Sequence, residues 1–336
     1  MTNHRYKTWT VKWLAHASCA PRWACCCLVL SALLFGPRAD AADQQTITVT
    51  KEPGRLRIDA GSTTITTYVY SDEEIPRPYF TNVRSPSGVQ VTRHHPPRPG
   101  KDSTDHPTYH PGIWLAFGDI GGADFWRNRA AVQHIDFVEQ PRCKQNKLSF
   151  TVKNRYVDED RVICTEVCRH QIVATGIGYL LTYESAFRSD DEPFAFGDQE
   201  EMGLGVRVAS GIRVTGGNGR IINSDGHKNE KGVRGTNADW VDYSGTIGQE
   251  RAGMLVMPDP ANFRRSWYHA RNYGFVAANP FGRNALTGNK KSRVEVKPGE
   301  TFKLGYGIFI YATPTDEPFD FKAAYEDYLS RVGDKK

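Results

Sequence analysis

Apolar and polar positions alternate with period two at residues 46–50, 55–58 and 63–70, the pattern of strands with one buried face. Runs at 147–157, 161–174, 177–188, 201–209, 252–257 and 301–312 are rich in β-branched and aromatic residues and bounded by turn formers, which predicts further strands. Residues 157–161 (Val-Asp-Glu-Asp-Arg) have the composition of a hairpin loop, and Gly216-Gly-Asn-Gly219 and Asn223-Ser-Asp-Gly226 supply turns. Near the C-terminus the period changes. Phe321, Ala324, Tyr325, Tyr328, Leu329 and Val332 recur at spacings of three and four behind Pro318, which predicts a helix with one apolar stripe. The expected fold is therefore all-β: a large antiparallel β-sandwich with a C-terminal helix on the outside of a sheet. No repeat, linker or change of composition divides residues 42–336, which read as a single domain. Residues 84–112 break the pattern as a long aperiodic loop, rich in Pro, His and charge.

The first 41 residues stand apart. Arg5, Lys7, Lys12 and Arg22 precede an apolar run of 12 residues at 24–35, and Ala39-Asp-Ala41 has the small-x-small form of a cleavage site. This predicts a signal peptide at 1–41 and a periplasmic or secreted protein with no integral membrane segment once the leader is cleaved. Of 336 residues, 43 are Lys or Arg and 38 Asp or Glu; the leader takes five of the former and one of the latter. The net charge of +5 is thus mostly the leader's, and no nucleic-acid partner is expected. Four of the seven cysteines also lie in the leader. Cys164 and Cys168 are too far apart in one strand to bridge each other, so at most one disulfide could form, from Cys143 to either.

Three segments carry candidate chemistry. The loop 91–114 holds His94, His95, His106 and His110, four of the eight histidines outside the leader, with Arg93, Asp105 and five prolines. Imidazoles there could exchange protons near neutral pH or, when neutral, ligate a metal. Residues 197–209, read as a strand, put Glu201, Gly203, Gly205 and Arg207 on one face, with the glycines leaving room above the sheet. Glu201 is the expected general base, because Glu200 would face the apolar side unless it lies beyond the sheet edge. Residues 266–274 place His269, Arg271 and Tyr273 in one row, suited to orienting a polyhydroxylated or anionic ligand. Trp114, Trp126, Trp240 and Trp267 lie near these segments and could stack on a sugar. No zinc-protease, serine-hydrolase, P-loop or dinucleotide motif is present.

Arg93-His-His-Pro-Pro-Arg98, Asp105-His-Pro107, the Gly112 to Ile120 segment Gly-Ile-Trp-Leu-Ala-Phe-Gly-Asp-Ile, Asp124-Phe-Trp126, Glu200-Glu-Met-Gly-Leu-Gly205 and Asn279-Pro-Phe-Gly282 together resemble a bacterial family that carries the name methane oxygenase PmoA. Methane-oxidising membrane subunits are helical and hydrophobic, whereas this chain has a mean hydropathy of −0.54 and a strand-rich pattern, so methane oxidation is not expected. The chain also resembles, distantly, the galactose-mutarotase type of β-supersandwich, which implies a carbohydrate cleft on one sheet with His and Glu side chains. In this chain Thr108-Tyr-His-Pro111 intervenes where the family spelling continues with two histidines and an arginine, which weakens a three-imidazole metal site.

The resulting expectation is an exported carbohydrate-active enzyme using acid–base chemistry for epimerisation, elimination or hydrolysis. Glu201 would be the base, His106 or His269 the acid, and Arg93, His94, Asp105, His110, Arg207, Arg271, Tyr273 and Trp240 would contact the ligand. No cofactor is called for, although a divalent metal could be accommodated. The alternatives are a metal-dependent hydrolase or lyase using Asp105, His106, His110 and a glutamate, and a glycan-binding module without catalysis.

Overall fold

The computed structural model describes residues 46–333, and the leader expected at 1–41 lies outside the described residues. The described residues belong to one compact unit built on two antiparallel sheets of eight strands each. The first sheet runs, in spatial order, Ile47–Glu52, Arg55–Ala60, Thr63–Val69, Tyr79–Thr81, Ile113–Phe117, Met202–Arg207, Phe275–Asn279 and Trp267–Arg271. The second runs Arg220–Asn223, Val241–Ile247, Glu250–Pro258, Thr301–Pro314, Gly178–Arg188, Arg161–Thr175, Lys147–Asp158 and Ala131–Lys144.

Strand alternation decides the layering. Leu56, Ile58, Phe80, Leu115, Leu204 and Val206 of the first sheet share one buried core with Phe150, Val152, Leu181, Met254, Val256 and Ile308 of the second. The fold is the antiparallel β-sandwich that the hydrophobic pattern predicts, and Asp158 pairs with Arg161 across the expected hairpin turn. The predicted helix is Phe321–Gly333. Its Ala324 and Tyr328 pack on Leu180, Leu255, Met257, Phe309 and Tyr311, the outward side chains of the second sheet. Gly307 makes the room: a Cβ there would stand 2.6 Å from the Tyr328 ring.

One long strand, Ala131–Lys144, has no signal in the sequence pattern. It is the edge of the second sheet, slips register three times against its neighbour and leaves Ile135 and Val138 about half exposed, so it spells no alternation. Cys143 is exposed on this strand, while Cys164 and Cys168 are buried, and all three are free thiols. Among the described residues no helix is long and apolar enough to cross a membrane.

Candidate functional site

The candidate residues gather on the outward face of the first sheet, opposite the shared core. Cross-strand register sets Arg271, Phe275 and Arg207 in one row, and His269, Ala277, Gly205 and Trp114 in the next. The room expected above the strand glycines is taken at Gly205: a Cβ there would lie 2.6 Å from the Trp114 ring and 2.9 Å from that of Trp126. Trp114, Trp126, Phe275 and Ala277, all buried, thus floor the site.

The loop between Thr81 and Ile113 is fixed over one side of this floor by buried guanidiniums. Arg93, 1% exposed, donates through Nη1 to the carbonyls of Ser103 (2.9 Å) and Asp105 (2.6 Å), and through Nη2 to those of His106 and His110 (both 3.1 Å). Arg77 adds the Tyr109 carbonyl at 2.7 Å. Five donors in a rigid plane are what make arginine, rather than lysine, able to hold several carbonyls at once. The clamp helps to hold His106 in a left-handed conformation, φ +48°, which a side chain of this kind adopts only at a cost.

Within the loop, His106 Nδ1 lies 3.0 Å from Asp105 Oδ2, and Asp105 Oδ1 accepts from Arg207 Nη2 at 2.8 Å. Burial works against charge on Asp105, but hydrogen bonds from Ser103 and His106 and the Arg207 guanidinium outweigh it and hold the carboxyl well below the usual range. Arg207 is fully buried, with Tyr273 lying across it at 4.7 Å. The His106 imidazole is about half exposed and stacks on His110, whose ring lies 4.6 Å from Phe275 at 7°. Burial, then Arg207 and His106, push His110 well below the ordinary histidine range, so it is neutral.

Phe275 joins the loop to the other half of the site, because its ring also meets His269 edge-on at 5.1 Å. Arg271 Nε donates to His269 Nε2 at 3.0 Å, and Glu200 Oε2 is 3.3 Å from the same nitrogen. One nitrogen cannot both accept from Arg271 and donate to Glu200. Burial, reinforced by Arg271 and Arg234, lowers His269 to about 3, so the ring is neutral, and the Arg271 Nε–H, which can only donate, makes Nε2 the acceptor. Arg271 also reaches Glu200 Oε2 (3.4 Å) and Glu230 Oε1 (2.9 Å), and Arg234 pairs with the other Glu200 oxygen. Glu201 pairs with Arg127, which in turn reaches Asp124 Oδ2 at 2.9 Å.

The structure therefore brings together Arg93, Asp105, His106, His110, Arg207, His269, Arg271 and Tyr273, with Glu201 on Arg127. One expectation needs correcting. Trp240 stands on the outward side of the second sheet, stacked on Phe321 at 5.1 Å, because the helix supplies the apolar cover that its indole needs. Glu200 lies beyond the sheet edge, the exception stated above, and does not point to the apolar side. The strand starts at Met202, and Asn279 Nδ2 takes the carbonyls of Gln199 (2.8 Å) and Glu200 (3.0 Å), turning the chain before alternation applies. His94 is held by Asp102 at 3.0 Å, which also accepts from Ser210. Arg127, Glu230 and Arg234 carry no local motif and were not anticipated. Among the described residues no three His, Cys, Asp or Glu are grouped to hold a metal ion.

Residues 55–318 match the model of a family of unknown function, DUF6807. The chain belongs to this family. No curated protein matches this DUF6807 chain. Among solved structures, a TPR-domain containing protein from Parabacteroides distasonis is similar at 10% identity and TM-score 0.39, over 82% of this chain and 54% of that one. The galactosidase domain of an alpha-galactosidase-sucrose kinase is similar at 10% identity and TM-score 0.41, over 80% of this chain and 42% of that one. The DUF6807 chain thus spans about half the length of these two. A galactose mutarotase related enzyme from Lactobacillus acidophilus is similar at 13% identity and TM-score 0.33, over 82% of this chain and all of that one.

Proposed function

We propose that this DUF6807 protein is an exported, carbohydrate-active enzyme whose ligand lies on the outward face of the first sheet, with proton transfer by His106 and Glu201. The observation that carries the reading is the Asp105–His106 pair beside the carboxylate cluster. Asp105 fixes one nitrogen of an imidazole that is otherwise half exposed, the arrangement a proton-transfer group needs. Glu201, paired with Arg127, is the carboxylate that takes the proton in this reading. Glu200, engaged by Arg234 and Arg271, orients the ligand. His269 is neutral and serves as the acceptor that positions Arg271 rather than as an acid. Tyr273 and the half-buried Trp267 offer faces for stacking on a sugar ring. The resemblance to methane oxygenase PmoA contributes no step to this chemistry.

The test is a panel of reducing sugars and glycosides followed by NMR for anomeric exchange, epimerisation, elimination and cleavage. His106→Gln and Glu201→Gln should each lower turnover by roughly 10²–10⁴-fold, with the melting temperature nearly unchanged. A His106→Gln protein with full turnover would eliminate the proton-transfer role. Saturable binding without turnover by the wild type would leave a glycan-binding module instead.

A further inference from the structure

The charged side chains of the site are arranged as an alternating ladder, and this determines what ligand they can take. Arg234, Glu200, Arg271 and Glu230 follow one another in contact, each with 29–32% of its side chain exposed. Arg127 and Glu201 form a second, similarly exposed pair. The partly exposed Asp105 is matched from beneath by the buried Arg207, with Arg93 behind it. The two imidazoles with the most buried environments, His110 and His269, are both held neutral and add no charge. Among the described residues each guanidinium of the ladder has a carboxylate and each of these carboxylates a guanidinium; Arg213, half-buried beside Gly274, stands outside the ladder with its Nε on the Ser210 carbonyl.

We infer that this site takes an uncharged polyol or saccharide, and discriminates against uronates and amino sugars; the inference rests on the carbohydrate reading above. A carboxylate on the ligand could pair with Arg271, whose two terminal nitrogens are taken by Glu230 and Glu200, only by displacing one of them, leaving that glutamate's charge partly desolvated and less well matched. An ammonium would have to displace an arginine in the same way. A hydroxyl does neither, because it accepts from a guanidinium N–H and donates to a carboxylate lone pair at the same time. The Arg271–Glu230 contact of 2.9 Å also presents a donor and an acceptor at about the separation of neighbouring hydroxyl oxygens in a hydrogen-bonded pair.

The experiment is calorimetry on the mature protein with matched trios: glucose, glucuronate and glucosamine, and galactose, galacturonate and galactosamine, at low and at moderate salt. The neutral sugar of the preferred trio should bind at least tenfold more tightly than its charged counterparts, with less than a twofold change across salt. Glu230→Gln leaves Arg271 short of one carboxylate and should improve uronate binding relative to the neutral sugar by at least fivefold. Tighter binding of a uronate or an amino sugar by the wild type, or a Glu230→Gln preference that does not move, overturns the inference and leaves the carbohydrate reading standing. No saturable binding in any arm overturns both.

Discussion

Each sheet turns an outward face away from the shared core, and the chain covers the two by different physical means. The second sheet is closed by a helix through shape. Tyr328 fills the space left by Gly307, Phe319 stacks on Tyr311 at 3.7 Å, and the one buried carboxylate beneath, Asp242, is met by the Tyr311 and Ser244 hydroxyls at 2.7 Å. The first sheet is closed by an aperiodic loop through charge. Arg93 and Arg77 grip its carbonyls, and Asp105 grips Arg207. A cover made by packing needs only volume, whereas a cover made by directed hydrogen bonds fixes the orientation of particular groups. The second arrangement suits the proposed ligand face, on which His106 has to be held in one orientation.

The largest expected effects separate the two covers. Arg93→Ala leaves four carbonyls without their donor and should cost on the order of 4 kcal/mol in denaturant unfolding, with Arg93→Lys recovering little, because an ammonium lacks the planar fork. Tyr328→Ala opens a cavity under the helix and should cost about 3 kcal/mol, yet Tyr328→Phe should be neutral, since the hydroxyl is buried without a partner among the described residues. Equal tolerance of the conservative changes at both positions would erase the distinction.

The next effect is in pH. Burial raises Asp242 from 3.8 to about 6, so the folded state holds its proton more tightly than the unfolded chain. That stability is fully present below the unfolded value and is lost as pH rises from about 4 to 6, on the order of 3 kcal/mol. His269 behaves oppositely. Its pKa falls from 6.5 to about 3, so its contribution is present above 6.5 and lost as pH falls toward 3. The two slopes oppose each other between about pH 4 and 6. Asp242→Asn should therefore steepen the acid-side loss and stabilise the protein at neutral pH, by urea titration at several pH values. An unchanged profile would show that neither group titrates as its surroundings dictate.

The smallest effect concerns the ladder. Glu200→Gln removes partly exposed ion pairs and should change stability by less than about 1 kcal/mol, while weakening sugar binding at least tenfold in calorimetry. A large stability loss with unchanged binding would make the ladder a cover like the helix.

The hydrophobic pattern made the fold legible wherever one strand face is buried, as in 147–157 and 301–312, and where a stripe repeats at helical spacing, as from Phe321 to Val332. It was silent for Ala131–Lys144, whose register slips destroy the period. Composition marked the loop, and alternation placed Arg207, His269 and Arg271 on one face, since those inferences need only local geometry. Glu200 was lost because two side-chain hydrogen bonds from Asn279, 79 residues away, set its direction. Glu230 and Arg234 reach the site from a short helix, Asn229–Val233, and the residue that ends it, a placement no local pattern encodes.

The clamp at Arg93 has a consequence for hydrogen exchange. It secures the loop by carbonyl oxygens, and the amides of Thr104, Asp105, His106, Thr108 and Tyr109 donate no hydrogen bond among the described residues. Slow exchange requires a bonded or buried N–H, so these amides should exchange quickly even while the backbone stays in place. Deuterium uptake would then mark as labile the stretch that carries His106, although Arg93 holds its carbonyls in place.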